Sequence, residues 1–173
     1  MKSTNPNQSP FPMSFSGDNT LFVPKGGSML SAVSSIIGVL NSNGKTIVIT
    51  DSYLFKSNNT NANYTSELVQ ILTSLKAKKI VFVSDQGWGD TAIRSTVENA
   101  LSSNGCSFEY HSNKYIHDRW WICVEEKVGI DMNSLNGLGN RACTLLQLPQ
   151  EDVDDILKDL AQKGVLQIAP TSK

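Results

Sequence analysis

Two short runs limit what this chain can fold into more than any other feature: "KTIVIT" (Lys45 to Thr50) and "KIVFVS" (Lys79 to Ser84). Each is a continuous β-branched stretch rather than an alternating one, the pattern of a strand buried on both faces. Each is followed at once by an aspartate, Asp51 and Asp85. Between them come a polar loop, "KSNNTNAN", and a segment from about Tyr64 to Lys76 with Leu68, Ile71, Leu72 and Leu75 at helical spacing. Strand, helix and strand in that order require a sheet with helices packed on it.

The flanking segments extend the pattern. "TLFV" (Thr20 to Val23) is suited to a short edge strand. Ser28 caps a helix carrying Met29, Leu30, Val33, Ile36, Ile37 and Leu40, which "NSNG" ends. After Asp85 come a Gly-rich loop, "DQGWGD", and an amphipathic helix from Thr91 to Ser103. The second half changes character: "CSFEYH", "RWWICVE", "KVGIDM" and "ACTLLQL" are strand-like, with a hairpin turn at Glu125-Glu126-Lys127. Pro149 opens a last helix with acidic residues in its first turn, where the helix dipole favours them. "VLQIA" is expected to form a final strand. The whole is an α/β fold, a mixed β-sheet flanked by helices on both faces. Residues 1–18, polar and Pro-rich, form a flexible N-terminal segment, and residues 19–173 a single domain with no internal repeat.

A chain of 173 residues with 39% hydrophobic content can bury one ordinary core. Its 15 Lys+Arg nearly balance 16 Asp+Glu, which argues against a general polyanion binder and leaves local phosphate recognition open. No apolar run approaches the ~20 residues of a membrane span, so no transmembrane segment is expected, and residues 1–18 lack the apolar core of a secretory signal. Cys106, Cys123 and Cys143 are odd in number and widely spaced. They are read as reduced thiols of a cytoplasmic protein, with no metal site.

Polar residues at the carboxyl ends of strands are where open α/β sheets hold ligands. Asp51 is one candidate, with a helix or turn cap as the equal alternative. Asp85 is more simply a turn residue. His117 and Arg119 stand two apart at a strand start, so alternation puts both on one face. An imidazole can attack phosphorus or move a proton, and a guanidinium can hold two phosphate oxygens in its planar fork. Ser134 and Asn136, in "NSLNG", can hydrogen-bond a neighbouring ligand. Spacing alone slightly favours a surface ion pair followed by an Asn-Gly turn. Trp120, like Trp121 and Trp88, can stack on a base or belong to the core. His111 reads as an exposed strand-end residue.

At these residues the chain resembles the phospholipase D-like superfamily, whose motif is H-x-K-x4-D followed, one hairpin later, by G-S-x-N. His117-Asp118-Arg119 stands in the first position and Asn133-Ser134-Leu135-Asn136 in the second. The H-D-R form is similar to bacterial phospholipase D-like domains and to the C-terminal domain of MIT-domain proteins. "IVITDSYLF" is similar to the strand and Asp-Pro-Tyr-type turn of those domains, with Ser52 in the proline place. The resemblance, over roughly Leu21 to Gly164, implies a metal-independent phosphodiesterase, nuclease-like, that proceeds through a phosphohistidine and needs no cofactor. His117, Arg119, Ser134 and Asn136 would be catalytic, and Asp51, Asn133 and Trp120 would contact substrate. The family joins two such motifs at one site and this chain has one. The resemblance therefore implies a homodimer with His117 of each copy across the two-fold axis. Val124 stands where the motif has its aspartate; Glu125, beside it, faces the opposite side of the strand. A module that binds phosphoinositide or another phosphate ligand without cleaving it is the alternative implied. An unrelated α/β interaction domain is a third reading.

Overall fold

The computed structural model describes residues 15–57, 61–84, 89–113 and 118–167. Among them seven strands form one sheet in the order β1-β7-β6-β5-β2-β3-β4. In chain order the elements are β1 (Thr20–Val23), α1 (Met29–Leu40), β2 (Thr46–Thr50), α2 (Tyr64–Ser74), β3 (Lys79–Ser84) and α3 (Thr91–Ser103). Then follow β4 (Ser107–Ser112), β5 (Trp120–Cys123), β6 (Val128–Asp131), β7 (Cys143–Gln147) and α4 (Gln150–Gln162). Strands β2, β3 and β4 are parallel, joined through α2 and α3. The other pairings are antiparallel, so the sheet is mixed.

The two β-branched runs are buried as expected. Ile47, Val48, Ile49, Ile80, Val81, Phe82 and Val83 are all closed to solvent. Alternation splits them between two cores. Ile47, Ile49, Ile80 and Phe82 join α1, α2 and α3 in the larger cluster. Val48, Val81, Val83 and Ile122 meet α4 through Val153, Leu157 and Leu160 in the smaller one. Helices therefore lie on both faces, three on one and one on the other.

Local chemistry explains the ends of the elements. The Ser28 hydroxyl accepts the Ser31 N–H at 3.3 Å and starts α1. The Asp90 carboxylate accepts N–H groups of Ala92 and Ile93 at 2.8 and 3.3 Å and starts α3. Helix α4 closes in a Schellman cap: Gly164 takes φ +71°, its N–H reaches Ala161 O at 3.0 Å, and Val165 N–H reaches Leu160 O at 2.9 Å. That cap corrects the expected final strand in "VLQIA". Val165 and Leu166 are buried in the α4 cluster, and Val165 to Gln167 form no strand; Ile168 and Ala169 lie outside the described residues. At the other end, Phe15 packs partly buried against the larger core, so folded structure begins before Thr20.

Antiparallel β5 brings its first residues beside the last residue of β2. The turn after β6, a single 3-10 turn at Leu135–Gly137, follows on the same side. Three separate stretches of sequence thus converge at the carboxyl edge of β2 and β3.

Candidate functional site

Asp51 is the centre of that convergence. Its side chain is 1% exposed, and a buried carboxylate requires partners. Oδ1 accepts the Tyr53 N–H at 2.8 Å, an Asx turn that bends the chain away from β2. Oδ2 accepts the Leu135 N–H at 3.3 Å. Arg119 Nε stands 3.5 Å from Oδ1. Burial pushes the Asp51 carboxyl above its ordinary range, while the Tyr53 and Leu135 N–H groups and the Arg119 charge pull it back.

The Arg119 guanidinium lies over the Tyr53 ring, 5.1 Å from its centroid, and Lys56 Nζ sits 5.4 Å from the same ring. Arg119 keeps 31% of its side chain exposed, so the cation is anchored at one edge and open at another. Ser134 Oγ and Arg119 Nε are buried and complete no hydrogen bond of good geometry. The Ser134 hydroxyl does exert a small favourable influence on the Asp51 carboxylate, which places the two side by side. Asn136 is tied in one step further out, its amide donating to Lys56 O at 2.9 Å.

Of the residues singled out from sequence, Asp51, Arg119 and Ser134 meet, with Asn136 at their margin. His117 lies outside the described residues, as do Asp85 and Trp88. Trp120 faces the other way, packing partly buried against the α4 cluster. Asn133 is exposed and interacts with the Cys143 thiol, whose pKa is pushed up by burial and drawn back by that amide. Asp51 is nearly closed to solvent, its side chain held by Arg119 and the turn at Leu135. His111 is half-buried, 3.6 Å from Glu109 on β4, away from this cluster.

Val124 also packs on the α4 side, at the far end of β5 from Arg119. A carboxylate at that position would not reach the Asp51–Arg119 pair. Glu125 bridges Thr46 N–H at 2.8 Å and Lys78 Nζ at 2.8 Å, and so fastens the opposite edge of the sheet.

Thr50 and Lys56 are not among the residues singled out from sequence, and Tyr53 enters there only through the Asp-Pro-Tyr-type turn of "IVITDSYLF". Thr50 carried a signal, since a hydroxyl at the end of a fully buried strand must find partners. Beside Asp51 opens a cleft of about 180 Å³ between the ends of β2 and β3 and the start of α3, lined by Ser52, Phe55, Ser84, Arg94 and Tyr110. Arg94 stacks on Tyr110 there, 5.2 Å from the ring centroid. Among the described residues, no group of three or more His, Cys, Asp and Glu is placed to hold a metal ion. No helix there is long and apolar enough to cross a membrane.

Fold and site together define an α/β protein with a seven-stranded mixed sheet and a buried carboxylate–guanidinium pair at its carboxyl edge. No protein-family model matches the sequence, and no curated protein does. Among solved structures, the chain is similar to TrmBL2, an archaeal chromatin protein described as showing a novel mode of DNA binding. The identity is 10%, the TM-score 0.44, and the alignment covers 86% of this chain and 53% of that one. The chain thus spans about half the length of that protein.

Proposed function

We propose that this chain is a metal-independent phosphodiesterase of the phospholipase D-like type, working as a homodimer on a phosphodiester, with a nucleic acid as the favoured substrate class. The observation that carries the reading is the Arg119 guanidinium, fixed between a buried carboxylate and an aromatic face, with the Ser134 hydroxyl beside that carboxylate. A cation oriented before the ligand arrives loses little freedom on binding, and its planar fork matches two phosphate oxygens. Ser134 supplies a further donor, and Asn136 holds the Lys56 backbone close by.

In this proposal His117, two residues before Arg119, attacks phosphorus. The phosphorus–nitrogen bond forms as the leaving oxygen departs with a proton from the partner copy's imidazole. Water, deprotonated by that imidazole, then attacks phosphorus, and the phosphorus–nitrogen bond breaks to release the phosphate and free His117. Arg119 neutralises the charge gathered on the non-bridging oxygens. Val124, where the motif has its aspartate, packs on the α4 face of the sheet, away from the Asp51–Arg119 pair.

The test is hydrolysis of bis(p-nitrophenyl) phosphate in excess EDTA. Turnover should persist in EDTA, vanish in His117→Ala, and fall roughly ten- to a hundredfold in Arg119→Ala, the worth of a hydrogen bond to a charged group. Turnover unaffected by His117→Ala would overturn the proposal. A second reading is a module that binds phosphate ligands without cleaving them. It is favoured by Asp51, which already offsets part of the Arg119 charge. Inorganic phosphate or headgroup binding that depends on Arg119, with no turnover in the wild type, would establish it instead.

A further inference from the structure

The ladder between β2 and β5 ends one residue before the site. Its pairs are Ile47↔Cys123, Val48↔Ile122 and Ile49↔Trp121. At the next position the Thr50 side chain takes over from the backbone. Its hydroxyl accepts the Trp120 N–H at 2.7 Å and donates to Asp118 O at 2.8 Å. A hydroxyl has one proton and two lone pairs, so both bonds form together and each polarises the other. The two groups bridged lie on either side of Arg119. The remaining backbone acceptor, Arg119 O, takes the Met132 N–H from the β6 side at 2.7 Å. The main chain at Arg119 is therefore held from both neighbouring strands.

We propose that Thr50 is a positioning residue, whose hydroxyl sets the 118–120 backbone so that the Arg119 guanidinium falls onto Asp51 and Tyr53. Thr50 is 0% exposed. It acts through the described segment that carries Arg119. Thr50 and Asp51 are consecutive at the end of β2 and divide the work: the hydroxyl fixes the backbone and the carboxylate fixes the side chain. A threonine buried only for its shape would tolerate valine better than serine, and one that only satisfies buried backbone groups would lose stability as valine without moving Arg119. A positioning hydroxyl would tolerate serine and, as valine, would move Arg119.

The structural half of the inference stands on the geometry alone, and its functional half rests on Arg119 as the phosphate clamp. Two variants separate them. Thr50→Val keeps the shape and loses the hydroxyl; Thr50→Ser keeps the hydroxyl and loses the methyl. The first readout is the Arg119 Nε–H resonance in an ¹⁵N-labelled protein, assigned with Arg119→Lys. It should stay at its wild-type position in Thr50→Ser and move to that of a solvent-exposed arginine in Thr50→Val, although both variants melt at lower temperature. The second is titration with inorganic phosphate, expected roughly tenfold weaker in Thr50→Val and near wild type in Thr50→Ser, the scale of one lost positioning bond. An unmoved Arg119 signal in Thr50→Val, or an equal loss in both variants, would overturn the inference.

Should Thr50→Val not fold, the wild type decides. Its Trp120 amide should exchange with solvent as slowly as those inside β5, and fast exchange there would sink the inference. If the wild type binds no phosphate while the Arg119 signal behaves as expected, the phosphate reading fails and the positioning role stands. If phosphate binding needs Arg119 and ignores Thr50, the reverse holds.

Discussion

Asp51 shows how one buried side chain can link folding to pH. Its carboxyl is raised above the ordinary value, with burial as the largest cause. The folded chain therefore holds the proton more tightly than the unfolded chain does. Between the unfolded value, about 4, and the raised folded one, the native state binds more protons, so its stability falls as pH rises. Asp51→Asn lacks this ionisation. The difference in melting temperature, wild type minus Asp51→Asn, should therefore shrink as pH is raised from 4 to 8. A difference that grows over that range would show the carboxyl to be lowered instead. Much of this residue was legible in the sequence, because a carboxylate ending a buried strand has few roles open to it. Arg119 and Ser134 were legible through motif spacing. Thr50 was legible only as a buried hydroxyl in need of partners; its β-branched shape satisfies the strand pattern and conceals which groups its oxygen serves.

Helix α4 depends on what lies beneath it. At Gly129 of β6, a methyl group would stand 3.0 Å from Val153 Cγ2, 3.1 Å from Leu148 Cδ1 and 3.2 Å from Ile122 Cγ1. Gly129→Ala should lift the start of α4 and cost about 1–3 kcal/mol, read as a lower denaturation midpoint. No measurable loss would mean that α4 shifts freely on the sheet. Leu160→Ala, which empties a position closed to solvent and removes the apolar side of the Schellman cap, should cost about 2–5 kcal/mol. Strands and helices were legible nearly end to end, since burial on two faces and on one face leave different periods. The error at "VLQIA" is instructive. Val165 and Leu166 supply the apolar residues of a cap folded back on α4, and a short apolar run reads alike in a cap and in a strand.

At the scale of the molecule, the covering of the sheet is uneven. Three helices bury one face, while α4 alone serves the other, and Phe22 and Leu146 on β1 and β7 stay 60% and 41% exposed. For the proposed shared site the expected outcome is a dimer at micromolar concentration by sedimentation equilibrium, retained in EDTA. A strict monomer with full turnover would require all the chemistry to come from one His117. The strand order has a consequence for synthesis on the ribosome. Strands β2, β3 and β4 follow one another and can pair as they emerge. Strand β1 precedes the other six described strands in the chain, and its partner β7 follows them all. Until β7 is made, β1 therefore waits with both edges open and with its own Phe22 exposed. A chain stalled before β7 would be the species that chaperones hold and that aggregates first.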